Sequence, residues 1–500
     1  MSKRRRRVGQ LELVPRSKRA TIEVEPTHRL VELTDRLDWD DLEARAELIR
    51  ANKLKSAAGR PPHLRALLGA MLLMATKRMS YRDAEDQIRY YAPARYLCGL
   101  TETDWTPDFT TIQDFTELMG EEGIGLINEY AVELAVAEKL ADPRIVAADT
   151  TAQEAAIPWP NEMGLMASFF SSVTAASKRG GQALKAFAEK VSSKLKAAKE
   201  KVRRYRLFAK TKQMRLELLG EMANLVESRQ AQLGRALSVA EGRLRGYSKV
   251  ARAKALQLHE TMEKLLPQIR YWLRTGWVAK DKIINLHISE LYAIVRGKIG
   301  KTVEFGLQWG ITRLRGGYLL ATLAKHRNEL VDARFAVRAV RDHIQLFGEA
   351  PRAYAYDRAG HSQENVEELK ALGVKQVALA PRGQTKWSVS GRVRQRMVKE
   401  RAEIEAGIGA VKSGRYGFHR PPARSMAMMG ACGQRAVLGF NLNKLIRQIA
   451  ARDELVLAGW AQAPGPPPPP PSNQSENPLV RRRRMADGLL GWSNFPTRSS

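Results

Sequence analysis

Apolar positions in this chain change their period several times. From residue 64 the spacing Leu64, Leu67, Leu68, Met71, Leu72 is helical, and the break at Gly59-Arg60-Pro61-Pro62 precedes it. Ser80 is placed to cap the next helix, with Asp83 set for the reciprocal contact and Ala84, Ile88 and Tyr91 on the inner face. A third helix starts near Asp108-Phe109-Thr110-Thr111-Ile112. Then the period shortens: Arg144-Ile145-Val146-Ala147-Ala148-Asp149-Thr150-Thr151 has the length and composition of a buried strand with an acid at its end. Ala353-Tyr354-Ala355-Tyr356-Asp357 repeats that pattern.

Between these two runs the helical period returns. Leu184, Phe187, Val191, Leu195, Ala198, Val202 and Tyr205 recur at intervals of three and four, and Leu216, Leu219, Ala223 and Val226 continue them. Pro267 and Gly276 read as breakers. Residues 164–300 thus predict a helical hairpin or bundle inserted into a domain that carries the acids. Beyond it, residues 301–311 and 318–322 read as an antiparallel pair joined around Gly316-Gly317. A helix over 333–347, the Asp357 strand, a helix over 362–372, a strand over 376–380 and a last helix follow. That order describes one mixed sheet flanked by helices, an α/β fold. The predicted organisation is a basic arm (1–27), a helical N-terminal domain (28–140) whose helices either read a DNA groove or bind only protein, a sheet domain (141–163 and 301–455), the helical insertion (164–300) and a tail (456–500). The tail contains Pro466 to Pro471 and cannot pack a core.

Charge narrows the partners. Lys and Arg number 83 against 53 Asp and Glu, a net charge of +30, which favours a polyanion and salt-sensitive affinity, with nucleic acid first among candidates. With 500 residues, 44% of them hydrophobic, the chain can bury cores for two or three domains. Cys98 and Cys432 are too few for a disulfide framework or a cysteine zinc site, and a reduced cytosol fits. The apolar stretch from Ala66 to Thr76 falls short of the roughly 20 residues a membrane span needs. Lys3-Arg4-Arg5-Arg6-Arg7 is followed by no apolar core or small-residue cleavage site, leaving a phosphate-touching arm or a plain solvated tail. Arg481 to Arg484 would add nonspecific phosphate affinity at the other end.

The candidate chemistry rests on three acids. Asp149 and Asp357 end strands, and Glu405 lies on a helix with Arg401 and Ile408 along the same face. Carboxylates on rigid elements suit a pair of Mg2+ ions, because hard cations prefer oxygen ligands. Glu403 points away from that face, and Glu154 reads as a solvated loop residue, with an acid supporting the site from behind its ligands as the other reading. Arg401, one turn before Glu405, and Lys412, about two turns after it, are placed to meet a phosphate, with a structural salt bridge as the competing reading. Trp159, Trp272, Trp277 and Trp387 suit core packing better than base stacking. His361 and His419 form no cluster that suggests zinc.

Together these residues resemble the bacterial insertion-sequence transposases whose catalytic domain is RNase H-like and carries an Asp-Asp-Glu triad. Arg401, Glu405 and Lys412, with three and then six residues between them, match that family's glutamate signature, and Val398 stands where the signature usually has Tyr. Asp149-Thr150-Thr151, Tyr356-Asp357-Arg358-Ala359-Gly360, Ala380-Pro381-Arg382-Gly383 and Gly439-Phe440-Asn441-Leu442 also match, as do Gly59 to Pro62 and Pro107 to Ile112 upstream. The resemblance spans residues 28–450. It implies that Asp149, Asp357 and Glu405 are catalytic and hold two Mg2+ ions, with Mn2+ as a substitute, and that Arg401 and Lys412 bind DNA. It further implies that the chain binds terminal inverted repeats, cleaves DNA by hydrolysis and joins 3' ends to a target. Its partners would be double-stranded DNA and a second copy of itself assembled on that DNA, without a membrane, in the bacterial cytoplasm near the nucleoid. A nuclease or resolvase on the same fold, cutting without strand transfer, and a catalytically silent DNA-binding relative are the rival expectations.

Overall fold

A computed structural model describes residues 24–54, 62–101, 105–239, 244–298, 301–381, 383 and 386–462. The basic arm at Lys3 to Arg7, the break at Gly59 to Pro61, Arg382, the proline run and Arg481 to Arg484 lie outside the described residues. Packing separates residues 1–449 from 450–500, and the cores, the sheet and its acids all belong to the first unit.

The N-terminal region is helical: α1 (Arg29–Arg36), α2 (Trp39–Lys53), α3 (Leu64–Lys77), α4 (Tyr81–Tyr90), α5 (Ala92–Leu97) and α6 (Phe109–Ala137). Every residue of α3 from Ala66 to Ala75 is buried, the mark of a helix enclosed on all sides. Among the described residues, no helix is long and apolar enough to cross a membrane. The Ser80 cap forms as expected: its hydroxyl accepts from the Asp83 N–H at 3.2 Å, and the Asp83 carboxylate accepts from the Ser80 N–H at 3.1 Å. Asp108 opens α6 by accepting from the Thr110 and Thr111 amides. Hydrogen bonds, the Thr110 hydroxyl's foremost, hold its carboxyl down at about 2.

The insertion comprises α7 (Glu162–Ser177), α8 (Gln182–Leu207), α9 (Lys212–Ser238) and α10 (Gly246–Thr275), packed around their own core of Phe169, Phe170, Leu184, Val226, Leu258 and Met262. Contrary to the breaker reading, α10 runs through Pro267. An interior proline costs about 3 kcal/mol, which burial of Leu265, Leu266 and Ile269 on either side offsets. Gly276 does end the helix, in the left-handed region at φ 75°.

The sheet contains β1 (Asp142–Glu154), β2 (Tyr292–Lys298), β3 (Lys301–Arg315), β4 (Leu319–Leu323), β5 (Ala353–Tyr356) and β6 (Gln376–Leu379). Its helices are α11 (Asp332–Phe347), α12 (Gln363–Ala371), α13 (Gly391–Lys412) and α14 (Met426–Gln462). β3 runs antiparallel to β1, and its other edge pairs with β2 along its first half and β4 along its second. β5 lies parallel to β1, and β6 parallel to β5. The β3–β4 turn falls at Gly316 and Gly317, both at positive φ as the sequence predicts. β2 was not predicted. It falls inside the stretch read as wholly helical, because a short edge strand carrying Arg296 and Lys298 shows little alternation.

Helices α11 and α12 cover one face of the sheet and α13 and α14 the other. His343 of α11 is buried against Phe347, and burial pushes its imidazole from 6.5 down to about 4. The unfolded chain therefore binds this proton more readily than the native one. The stability His343 contributes as a neutral ring is intact above pH 6.5 and lost as pH falls toward 4, by roughly 3 kcal/mol. His343→Leu should flatten the fall in urea midpoint between pH 6.5 and 4 relative to the unsubstituted chain.

The N-terminal helices share one core with the sheet. Leu314, Tyr318, Leu438, Leu442, Leu445 and Ile449 pack with Leu68, Leu72, Ile127 and Val132. Gly439 abuts the Ala75 carbonyl, leaving no room there for a side chain. Beside it, Asn441 is fully buried: its carbonyl accepts from the Leu319 N–H at 3.0 Å, and its amide donates to Leu319 O at 2.7 Å and Asn128 Oδ1 at 2.8 Å. One side chain thus links α6, β4 and α14. Asn441→Leu strands the Leu319 N–H and should lower stability by about 1–3 kcal/mol, read as a shifted urea midpoint at unchanged slope.

Candidate active site

Alternation along two neighbouring strands places the first two acids. Ile145 and Ala147 of β1 and Ala353 and Ala355 of β5 pack toward α13, whereas Val146, Ala148, Tyr354 and Tyr356 pack toward α11 and α12. Ala147 and Ala355 are the last paired residues of the parallel ladder. Two residues beyond that pair come Asp149, which alternation within β1 puts on the α13 face, and Asp357, just past the end of β5.

Asp149 does not end its strand, as the sequence suggested. β1 continues to Glu154, paired with β3, and Asp149 sits opposite Ile311. What ends is β5, so Asp149 stands at a step in the sheet. It is half-buried, and its Oδ1 accepts from the Thr150 N–H at 2.7 Å. Asp357 follows β5 and caps a single 3-10 turn, Arg358–Gly360, accepting from the Ala359 amide at 2.9 Å and the Gly360 amide at 3.3 Å. Burial, reinforced by the charge of Asp332, raises its carboxyl above the ordinary range, against the pull of those amides and of Arg401.

The third acid comes from α13. Met397, Glu400, Ile404 and Val411 form its buried stripe, at the spacing of one helical face. Arg401, Glu405 and Lys412 each follow a member of that stripe by one position, at its border, and Ile408 packs with the buried residues. Arg401 bonds to Glu405 at 3.1 Å, and its charge also lowers the proton affinity of Asp357. Glu405 itself is 55% exposed. Among the described residues, no three His, Cys, Asp or Glu side chains stand close enough together to hold a metal ion.

Residues 19–118 match the model of a family described as a transposase domain (DUF772). No curated protein and no solved structure matches the chain. The match to the transposase domain takes in α1 to α5 and the start of α6, including both upstream motifs, and stops short of the sheet.

Several neighbours of the acids escaped the sequence. Arg313 of β3 is buried, with its side chain 6% exposed, and donates to Glu400 at 2.6 Å and to Glu403. This ion pair holds α13 on the sheet and accounts for Glu403, which turns away from Glu405. Glu154 is buried rather than a solvated loop residue. Arg420 bonds to its carboxylate at 3.1 Å, and the Arg420 N–H donates to its carbonyl at 3.0 Å. Trp272 and Trp387 pack against cores as expected, but Trp159 and Trp277 are exposed. Asp332, at the start of α11, touches the neighbours of both strand acids. An acid in a helix's first turn is ordinary, so no sequence signal marked it.

The donor set suits a hard divalent cation in part. Asp149 and Asp357 each come two residues after the last pair of neighbouring strands, and burial, reinforced by the charge of Asp332, raises Asp357's proton affinity. Glu405 is held by Arg401 in a half-exposed i,i+4 pair, an interaction worth only about 0.3–0.5 kcal/mol, so little opposes its turning toward the strand acids.

Proposed function

We propose that the chain is an insertion-sequence transposase of the Asp-Asp-Glu type. It binds terminal inverted repeats, cuts DNA by hydrolysis and joins the freed 3' ends to target DNA. The observation that supports this reading most is the register of β1 and β5, whose last pair, Ala147 with Ala355, comes two residues before Asp149 and Asp357 on strands that α13, the helix of Glu405, packs against. The strand order β2-β3-β1-β5-β6, with β4 also paired to β3, antiparallel as far as β1 and parallel beyond it, supports an RNase H-like sheet. The transposase-domain match supports the wider assignment.

Asp149, Asp357 and Glu405 would hold two Mg2+ ions, or Mn2+ in their place. Such ions, when bound, activate the attacking oxygen and neutralise charge on the leaving oxygen. The chain's own residues do the rest. Arg401 and Lys412, on the same border of α13, meet the phosphates flanking the cut, and α13 keeps them in line with Glu405. Two ends must be handled together, which calls for two copies of the chain on DNA.

The insertion offers a second DNA surface. α8 carries nine cations against two acids, and Lys194, Lys199, Arg203, Arg204 and Arg206 are exposed along it. Replacing Lys194, Lys199 and Arg203 by Gln should make the salt dependence of DNA binding shallower, by about 0.9 in the log–log slope for each phosphate no longer neutralised. Titrations across a range of salt concentrations measure it.

The deciding experiment incubates the protein and Mg2+ with duplexes bearing the DNA that flanks its coding sequence, labelled at the ends. Labelled strands covalently joined to a target plasmid are expected. Cut strands that never join would make the protein a nuclease, and end binding without cutting would make it a silent relative.

A further inference from the structure

The ladder between β1 and β5 stops short of the acids it brings together. Its last pair is Ala147 with Ala355, and Asp149 and Asp357 lie two residues farther on. Something else must hold the two chain segments at a fixed separation there. Asp332, the first residue of α11, occupies the opposite face of the sheet at that point. Its Oδ1 accepts from Thr150 Oγ1 at 2.6 Å and from Tyr356 OH at 3.3 Å. Thr150 follows Asp149 and Tyr356 precedes Asp357. By alternation, each points away from the face its acidic neighbour occupies. One carboxylate oxygen therefore ties together the two segments that present the strand acids.

The tie is well braced. Thr150 is buried opposite Gly310, and the next turns of α11 press Phe335 against Gly310. Tyr356 is fully buried, with its ring against Phe335. Asp332 is thus fixed by the helix behind it, and Thr150 and Tyr356 are fixed by the sheet.

We propose that Asp332 is a positioning residue: through Thr150 and Tyr356 it holds Asp149 and Asp357 at the separation a shared pair of divalent cations needs. The inference rests on the two-metal reading of the site. Outer partners that orient ligands in this way typically contribute 10–100-fold to metal affinity. Asparagine at this position keeps an oxygen that accepts both bonds and removes only the charge.

The test is Mn2+ binding to the full chain without DNA, followed by electron paramagnetic resonance, beside Mg2+-dependent cleavage. Asp332→Ala should weaken Mn2+ binding by roughly 10–100-fold and raise the Mg2+ concentration for half-maximal cleavage in proportion, with most of the rate regained at saturating metal. Asp332→Asn should restore most of the affinity, and Thr150→Val, which removes one of the two bonds, should fall between. Urea midpoints of all three variants guard against simple misfolding. Mn2+ binding by Asp332→Ala equal to that of the unsubstituted chain, while Asp149→Ala and Asp357→Ala lose it, would overturn the proposal and leave the two-metal reading standing. So would an Asp332→Asn as weak as the alanine variant, which would assign the effect to charge. If the unsubstituted chain binds no Mn2+, the two-metal reading falls, and this inference with it.

Discussion

Replacing Asp149, Asp357 or Glu405 by alanine, one at a time, is expected to abolish DNA cleavage while leaving binding to the same DNA within about twofold, because phosphate contacts set that affinity. The loss in rate should exceed about 10²-fold for each, since removing a ligand costs more than removing a residue that merely orients one. Glu405 is the sharpest of the three. It is exposed and its carboxylate is engaged by Arg401 on the same helix, so its removal costs the fold little. Full cleavage by Glu405→Ala would therefore remove it from the site without a folding excuse. Glu403→Ala is the matched control two residues away. It weakens the hold on Arg313 and should retain cleavage. Binding and cleavage are read on the same end-labelled duplexes, by mobility shift and by denaturing gel.

Arg313→Met carries the second large effect, in stability. Glu400 is 9% exposed and bonds to Arg313 at 2.6 Å, so losing the guanidinium leaves a buried carboxylate without its closest cation. Breaking one side of a buried ion pair costs about 3–5 kcal/mol, read in urea unfolding. Arg315, 3.6 Å from Glu400 and half-exposed, recovers only part of that. The double substitution Arg313→Met with Glu400→Met should restore most of the stability, since an apolar pair of similar volume often replaces a buried ion pair without loss. Glu405 lies on the same helix little more than one turn beyond Glu400. The single variant should thus lose cleavage as α13 loosens, and the double variant should regain it.

How much of this was legible in the sequence varied with the distance to each residue's partners. The Ser80 cap, the helix start near Asp108, the Gly316-Gly317 turn and the α8 stripe rest on neighbours a few positions away, and each was readable. β1 was read too short for the opposite reason. Gln153 and Glu154 look like residues that have left a strand, yet both are buried, as are Thr150 and Thr151. Thr150 meets Asp332, the Gln153 amide donates to Met429 O and its carbonyl accepts from Trp309, and Glu154 meets Arg420. Partners more than 150 positions away leave no periodic trace, so a polar strand looks like a loop. The same reasoning explains Glu400 and Arg313. The acids Asp149 and Asp357 stand out in the sequence because apolar runs lead up to them. That they fall in register was not readable, since parallel pairing is set across the whole insertion.

The core shared by the N-terminal helices and α14 has a consequence for the chain as it is made. Leu68, Leu72 and Ile127 are synthesised long before Leu438 and Leu442, which close over them. At roughly 5–20 residues per second, a nascent chain waits on the order of half a minute between the two. For that interval the first helices carry an open apolar flank, and only contacts of very high sequence separation can close it.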